Sequence, residues 1–314
     1  MKQTIAAIFA LGLSALPALA EYPEKPIKLI VSYSAGGGSD VLARTVAQFL
    51  KAELGDGASV VVKNVPGAGG QIGFTEIATA APDGYTIGIF NLPAALALTN
   101  DRDASYDVDS FTYLANFVDD PNTLMVSTSS NFESLEALLA SAKEAPGAIT
   151  VGLSSLGGND HFSANMISAS SGAEFTLVPF KGAALARTAL MGGHVAVGTM
   201  TLSQTIGFQD EMRVLAVLSG ERSAFRSEVP TAKELGLNVT MSSLRGVVAP
   251  AGLDPEIAAT LRDALSAVNA NAEFQTMMAD QGNPIAFSAG NAYAEVAKAQ
   301  DEVARKIWEE TPWN

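Results

Sequence analysis

The chain has 314 residues, no cysteine, two histidines and a formal net charge of −14 at neutral pH. Such an acidic surface repels nucleic acid and anionic lipid, and the absence of cysteine excludes disulfides. The scarcity of histidine and cysteine argues against a transition-metal site, and we expect neither a metal nor another cofactor. A hydrophobic content of 48% supports large cores, and the length fits two domains of about 100–200 residues each.

Residues 1–20 have the pattern of a cleaved signal peptide. Lys2 is followed by an apolar run over residues 5–16, then by Pro17 and the small-x-small motif Ala18-Leu19-Ala20. The apolar run is shorter than the roughly 20 residues that span a bilayer. We expect cleavage after Ala20 and release of a periplasmic protein; the alternative is an amphipathic or buried N-terminal helix.

The first part of the mature chain alternates strands and helices. The pattern predicts strands at 27–33, 60–65 and 84–91 and helices at 41–54 and 71–80. A βαβαβ order of this kind forms a parallel sheet with helices on both faces.

The second part repeats this alternation between two extended passages, at 111–127 and 239–249. The predicted helices and strands between them are 134–143, 149–153, 160–170, 177–179, 183–191, 195–199 and 213–219. Three helices follow, at 255–270, 272–280 and 291–310, and should pack back on the first unit. We therefore expect two α/β domains, one formed by 21–118 plus 245–314 and the other by 119–244. Two crossing strands would form a hinge, with the ligand cleft between the domains.

The first glycine-rich turn, YSAGGGSD at residues 33–40, joins a strand to a helix. Ligands of open α/β sheets bind at this end of the strands, where the helix presents N–H groups without intrahelical partners. Glycine also lets the backbone approach an anion closely. We assign Asp40 as a structural cap within this binding turn, whose other residues are Tyr33, Ser34, Ala35, Gly36, Gly37 and Ser39. Taken alone, the motif is equally compatible with a turn that binds nothing.

A second turn, SSLGGNDH at residues 154–161, has the same form in the second unit. Two helix N-termini that face one cleft would hold a carboxylate from both sides. His161 either donates to the ligand or caps and packs within its own domain. The residues predicted to bind in this turn are Ser154, Ser155, Gly157, Gly158, Asn159 and His161.

Motifs for catalysis and nucleotide binding fail on spacing. The segment GAGGQIG at 67–73 places Ile72 where the dinucleotide fingerprint requires its third glycine. The segment GLSSLG at 152–157 is not the G-x-S-x-G of a nucleophile elbow, and no histidine pairs with a nucleophile in a recognisable motif. We expect a protein that is not an enzyme.

Five segments resemble the extracytoplasmic receptors of tripartite tricarboxylate transporters, also called TctC or Bug-type receptors. They are YPEKPIKLIVSYSAGGGSDVLAR at 22–44, VVVKNVPGAGGQIG at 60–73, APDGYTIGIFN at 81–91, VPFKGAALARTALMGGHV at 178–195 and VVAPAGLDPEI at 247–257. The resemblance covers nearly the whole mature chain in matching order. It implies a type II periplasmic-binding-protein fold without catalysis.

The resemblance also implies a ligand and partners. The ligand would be a di- or tricarboxylate, an acidic amino acid or an aromatic carboxylate, held by the two turns and often through ordered water. The partners would be the integral membrane subunits of the transporter, and we expect a monomer. Further residues implied in the pocket are Asn91, Leu92, Phe180, Lys181, Gly182, Met200 and Thr201.

The sequence departs from the family pattern at three positions. Asn159 replaces a hydroxyl residue, Phe180 replaces a tyrosine, and Arg245 stands where an aromatic residue is common. Arg245 is either a charged partner for a distal carboxylate or an exposed hinge residue, and we favour the second. A sensory receptor that presents the ligand to a membrane histidine kinase is the main alternative function, and an exported α/β enzyme is a weaker one.

Overall fold

The computed structural model describes residues 22–55, 57–310 and 312. The predicted signal peptide lies outside the described residues. The strands are β1 Ile27–Val31, β2 Val60–Asn64, β3 Thr86–Leu92, β4 Phe111–Pro121, β5 Thr123–Ser127, β6 Ile149–Leu153, β7 Phe175–Pro179, β8 Val197–Gly198, β9 Met212–Val217, β10 Ser242–Pro250 and β11 Ile285–Ala289. The helices are α1 Gly38–Glu53, α2 Gln71–Ala78, α3 Ala94–Asp101, α4 Leu135–Glu144, α5 Asn159–Ser171, α6 Ala183–Met191, α7 Pro255–Ala270, α8 Ala272–Asp280 and α9 Asn291–Glu310.

The strands form two sheets. The first has the order β11-β4-β10-β3-β1-β2, and the second has the order β7-β6-β8-β5-β9. β1 pairs in parallel with β2 and β3, as the βαβαβ pattern predicts, whereas β10 lies antiparallel between β3 and β4. The chain thus leaves the first sheet at Asn122, between β4 and β5, and returns to it in β10. We propose two domains that meet at these crossings, with the boundaries 118/119 and 244/245 falling near the end of β4 and the start of β10.

Each sheet has its own apolar core. Leu42, Val46 and Leu50 on one face of α1 are fully buried against β1 and β3, with helices α7 and α8 packed beside them. Phe274 of α8 meets Phe49 of α1 edge to face, with 5.6 Å between ring centroids. The second core contains Val151 of β6 and its neighbours on α4 and α5. The two cores fix α1 and α5 separately, each at the carboxyl end of a strand.

Two elements were not predicted. In α3, residues 94–98 are all buried, so the helix has no polar face and no amphipathic period to detect. β11 is a short strand at the edge of the first sheet, with an exposed start and irregular pairing to β4. The ends of other strands shift by a few residues; β10, for example, begins at 242 rather than 239.

The bend in β10 requires Gly246. A register shift separates it from its neighbour Arg245, and a Cβ at this position would lie 2.6 Å from the carbonyl oxygen of Ala115 and 2.5 Å from Oη of Tyr293. The backbone of β4 cannot move away without disturbing the sheet. Gly246 therefore allows the close packing that sets the position of Arg245.

Replacing Gly246 with alanine should lower the free energy of unfolding by about 1–3 kcal/mol, because the added methyl group overpacks this contact. Urea denaturation measures the change. Gly220→Ala is the matched control, since a Cβ there meets nothing within 4 Å, and it should change stability by less than about 0.5 kcal/mol. Equal stability of the two variants would show that the contact is not tight.

Candidate ligand-binding site

A small cavity lies where the two glycine-rich turns meet. The space open to the centres of water-sized spheres is about 40 Å³. Its lining comes from both sheets' turns and from β10: Tyr33, Gly37, Gly38, Ser39, Asn91, Ser154, Asn159, Asp160, Ala183, Thr201, Gln204, Ser243 and Arg245. The cleft around it is closed, because the backbone N–H of Ser34 donates to the carbonyl oxygen of Lys181 across it at 3.3 Å.

The first turn is shaped by a glycine and an aspartate. Gly36 has a φ of +80°, and the N-cap of α1 is Gly37 rather than Asp40. Oδ2 of Asp40 accepts a hydrogen bond from the N–H of Gly36 at 2.9 Å, while Oδ1 accepts one from Nδ2 of Asn64 at 2.9 Å. Asp40, near the start of α1, thus stabilises the glycine-rich turn through these hydrogen bonds. It does not line the cavity.

The charge of Asp40 is satisfied on the side away from the cavity. Arg44, one helical turn later, donates to both carboxylate oxygens at 3.0 and 2.9 Å. Burial by itself raises the pKa of Asp40, but the hydrogen bonds from Arg44, Gly36 and Asn64, with the Arg44 charge, outweigh it and lower the pKa. The aspartate therefore stays ionised, and its oxygens face donors rather than an incoming anion.

The second turn repeats this geometry with a different side chain. Gly157 has a φ of +73°, Gly158 is the N-cap, and α5 begins at Asn159. The N–H of Gly157 donates to Nδ1 of His161 at 3.1 Å. Gly157 and His161 are four residues apart, as Gly36 and Asp40 are in the first turn. His161 is therefore the counterpart of Asp40, and it stabilises the turn from outside the cavity lining.

The geometry requires His161 to be neutral, because Nδ1 must accept the Gly157 hydrogen bond. Burial lowers the pKa of His161 to about 4. Nε2 lies 3.2 Å from Nδ2 of Asn165 on the next turn of α5. The structure thus favours the second reading of His161, as a residue that packs within its own domain.

Asp160 is a carboxylate in the lining itself. Its Oδ2 accepts from the N–H of Ser154 at 2.9 Å, and its Oδ1 accepts from Nδ2 of Asn122 at 3.1 Å and of Asn159 at 2.9 Å. Burial raises the pKa of Asp160, although these hydrogen bonds and the charge of Arg245 oppose the rise. Both of its oxygens are thus occupied by donors of the protein.

Arg245 is buried, and the expectation of an exposed hinge residue is wrong. The residue is 2% exposed and forms an ion pair with Asp120, which is fully buried. Its Nη2 also donates to Oγ1 of Thr201 at 2.9 Å, and its Nη1 donates to Oδ1 of Asn283 at 3.1 Å. A Cβ on Gly38 would lie 2.7 Å from Nη1. The guanidinium is thus placed against the N-terminus of α1, at the cavity wall.

The predicted residues divide between the lining and its surroundings. Those that line the cavity are Tyr33, Gly37, Ser39, Asn91, Ser154, Asn159 and Thr201. Those that lie outside the lining are Ser34, Ala35, Gly36, Asp40, Leu92, Ser155, Gly157, Gly158, His161, Phe180, Lys181, Gly182 and Met200. Leu92 and Met200 are fully buried in apolar clusters, and Phe180 packs against one of these clusters.

The sequence did not identify all of the lining. The residues missed as binding candidates are Gly38, Asp160, Ala183, Gln204 and Ser243. Arg245 was considered as a partner for a distal carboxylate, but the hinge alternative was favoured. Gly38 and Asp160 belong to the recognised turns and could have been included as the first residues of the two helices. Gln204 and Ser243 come from segments without a motif, so no local signal marks them.

Asn91 supplies an unpaired polar atom. Its Nδ2 donates to Oγ of Ser39 at 2.8 Å, whereas its buried Oδ1 has no hydrogen-bond partner among the described residues. A buried amide oxygen without a partner is costly. Asn91 therefore leaves an unsatisfied acceptor within the wall of the cavity.

Neither a membrane span nor a metal cluster was found in the described part of the chain. Within it, none of the helices has the length and apolar character needed to cross a bilayer. The same residues contain no group of three or more histidine, cysteine, aspartate or glutamate side chains arranged to hold a metal.

Two α/β units closed around a polar cavity define a protein of the solute-binding class. Residues 42–310 match the model of the tripartite tricarboxylate transporter family receptor, TctC. The chain is 33% identical to BugT of Bordetella pertussis over 281 residues, which are 87% of this chain and 86% of BugT. The chain belongs to the tripartite tricarboxylate transporter receptor family, which confirms the resemblance seen in its motifs.

Solved structures agree with this assignment. The periplasmic binding protein BugD is similar with a TM-score of 0.84 at 27% identity, covering 92% of this chain and 98% of BugD. R. palustris Rpa4515, solved with adipate, is similar with a TM-score of 0.83 at 28% identity, covering 92% of this chain and 96% of that one. The predicted two-domain α/β binding fold is confirmed, and the protein is a solute-binding receptor rather than an enzyme.

Acid should destabilise the protein through His161. Its pKa is about 4 when folded and 6.5 when unfolded, so the unfolded state binds the proton first as pH falls. The contribution of the neutral imidazole is complete above pH 6.5 and is lost between that value and about pH 4. Over this window the wild type should lose about 3 kcal/mol more stability than His161→Gln, which has no titrating ring. Parallel curves of unfolding free energy against pH would contradict this role.

Removing Arg245 alone should cost about 3–5 kcal/mol of stability, because Asp120 is left buried and unpaired. Urea denaturation of Arg245→Met should show this loss, and the double variant Asp120→Asn/Arg245→Met should recover most of it. Lys298→Met is the control, since Lys298 and its partner Glu295 are 51% and 74% exposed, and it should change stability by less than about 1 kcal/mol. If the single and double variants are equally stable, the ion pair is not what keeps Asp120 buried.

Proposed function

We propose that the protein is a periplasmic receptor that captures a small carboxylate and delivers it to the membrane subunits of a tripartite tricarboxylate transporter. One observation carries this proposal: the N-termini of α1 and α5 and the guanidinium of Arg245 converge on one closed cavity. The two helix N-termini favour a negative charge, and the Arg245 guanidinium, although paired with Asp120, lies at the same cavity wall. We further propose that residues 1–20 direct export, with cleavage after Ala20, and that the receptor acts as a monomer.

The local field outweighs the net charge of the protein. A net charge of −14 repels an anion at a distance, but salt screens surface charges beyond about 8 Å at physiological ionic strength. Within the cavity each helix N-terminus contributes about 0.3–1 kcal/mol, and a hydrogen bond to an ionised group about 1.5–3 kcal/mol. A carboxylate that reaches the cavity is therefore bound in spite of the acidic surface.

The proposed contacts follow from the groups that lack intrahelical partners. The backbone N–H groups of Gly38 and Ser39 begin α1 and therefore have no hydrogen-bond partner within the helix. The same holds for the N–H of Asn159, which begins α5. One carboxylate placed between them accepts from both domains. Such bridging contacts stabilise the closed cleft and make closure depend on the ligand. The adipate found in Rpa4515, a relative at 28% identity, supports a carboxylate as the ligand.

A thermal-shift series tests the proposal, with each carboxylate compared against its primary amide. At a concentration of about 100 Kd the cognate acid should raise the melting temperature by about 5–10 °C, because it binds the folded state alone. The amide keeps the shape and loses the charge, so it should give little or no shift. Equal shifts for acid and amide, or no shift with aliphatic, aromatic and amino-acid carboxylates, would contradict carboxylate capture.

A further inference from the structure

Arg187 on α6 is a cation that the proposed carboxylate grip does not use. Its Nη1 donates to Oε1 of Gln204 at 2.9 Å, and its guanidinium carbon lies 4.2 Å from the ring centre of Phe208. Its Nε is buried and has no hydrogen-bond partner among the described residues. The ion pairs found in the described ranges do not include Arg187.

Arg187 is partly buried, so its charge has lost part of its hydration. Burial lowers the pKa of the Arg187 guanidinium, and no carboxylate in the described part of the chain offsets that effect. Buried cations are normally paired with an anion, because the desolvation of a charge is otherwise uncompensated. Gln204 and the Phe208 ring orient the guanidinium without neutralising it. The side chain is thus held in place with its charge available.

A second cavity lies beside Arg187 and adjoins the first. Its volume is about 260 Å³, against about 40 Å³ for the cavity between the turns. Gly38 and Gln204 line both cavities. Asn283, which accepts from Arg245, lines the second one. The two cavities are therefore neighbouring compartments of one interdomain cleft, with an arginine in the lining of each.

The second cavity combines an apolar wall with one cation. Val41, Ile206 and Phe208 provide apolar surface, and Ser203, Gln204, Gln281 and Asn283 provide neutral polar groups. Asp280 is its acidic residue and is exposed to solvent, where water screens its charge. This lining suits an aliphatic chain that ends in an anionic group.

We propose that Arg187 is a specificity residue that binds the distal carboxylate of a dicarboxylate whose first carboxylate lies between the two turns. This inference rests on the proposed carboxylate capture and adds a second subsite to it. The aliphatic chain passes Gly38 and Gln204 from the first cavity to the second, where the guanidinium of Arg187 pairs with the distal group. The receptor then selects against monocarboxylates, because they leave the Arg187 charge unpaired.

Isothermal titration tests the subsite with matched pairs of acids. The dicarboxylates succinate, glutarate, adipate and pimelate are compared with the monocarboxylates of equal chain length, from butyrate to heptanoate. In the wild type the best dicarboxylate should bind at least about tenfold more tightly than its monocarboxylate partner. In Arg187→Met the ratio should fall to about threefold or less, with monocarboxylate affinity unchanged. Arg305→Met, which lines neither cavity, should keep the wild-type ratio.

The outcomes separate the subsite from the proposed function. If Arg187→Met keeps the wild-type ratio while it still binds the acids, the subsite is overturned and carboxylate capture stands. If none of these aliphatic acids binds the wild type, the subsite is overturned, and the thermal-shift series with aromatic and amino-acid carboxylates decides carboxylate capture. The melting curves of Arg187→Met and the wild type are also compared without ligand. If they match, a lower ratio of dicarboxylate to monocarboxylate affinity reflects binding rather than unfolding.

Discussion

The ion pair between Asp120 and Arg245 joins the parts of the molecule that must act together. Asp120 lies on β4 and Arg245 on β10, the two strands through which the chain leaves and re-enters the first sheet. Asp120 also accepts from Ser203, and Arg245 donates to Thr201, both of which belong to the second unit. A buried ion pair contributes little net stability, but either charge alone is expensive to bury. The pair therefore fixes the position of the guanidinium at the cavity wall more than it stabilises the fold.

The two turns reach the same backbone shape through different chemistry. A carboxylate at Asp40 and a neutral imidazole at His161 each accept the N–H of a glycine four residues earlier. In both cases the accepting atom is turned towards the protein and leaves the helix start open to the cavity. The charge of Asp40 is further bound by Arg44 on the outer side. The cavity thus gains two helix N-termini without an adjoining unpaired negative charge from the caps.

The fold and the location of the site were predictable because they depend on local patterns. Hydrophobic periodicity indicated α1, α5 and most strands, and the glycine-rich turns indicated where the helix starts would meet. Gly157 and His161 have the same four-residue spacing as Gly36 and Asp40, which agrees with the role of His161 in holding its turn. The sequence alone did not distinguish that role from contact with the ligand. α3 was not predicted, because a helix buried on all sides shows no alternation of apolar and polar residues.

The burial of Arg245 could not be predicted, because its partner Asp120 is 125 residues away in the chain. The same limit applies to Gln204 and Arg187, whose importance follows from the way the second unit closes on the first. Non-local contacts of this kind decide which side chains form the walls of a cleft. They consequently decide ligand selectivity, whereas local patterns decide the architecture.

The most direct test of the account is a crystal structure of the mature protein in complex with its tightest-binding carboxylate. The account predicts one carboxylate group within about 3.2 Å of the backbone N–H groups that begin α1 and α5. It further predicts that the Asp120–Arg245 ion pair stays intact beside that group. A carboxylate bound outside the two turns, with neither helix start in contact with it, would contradict the account.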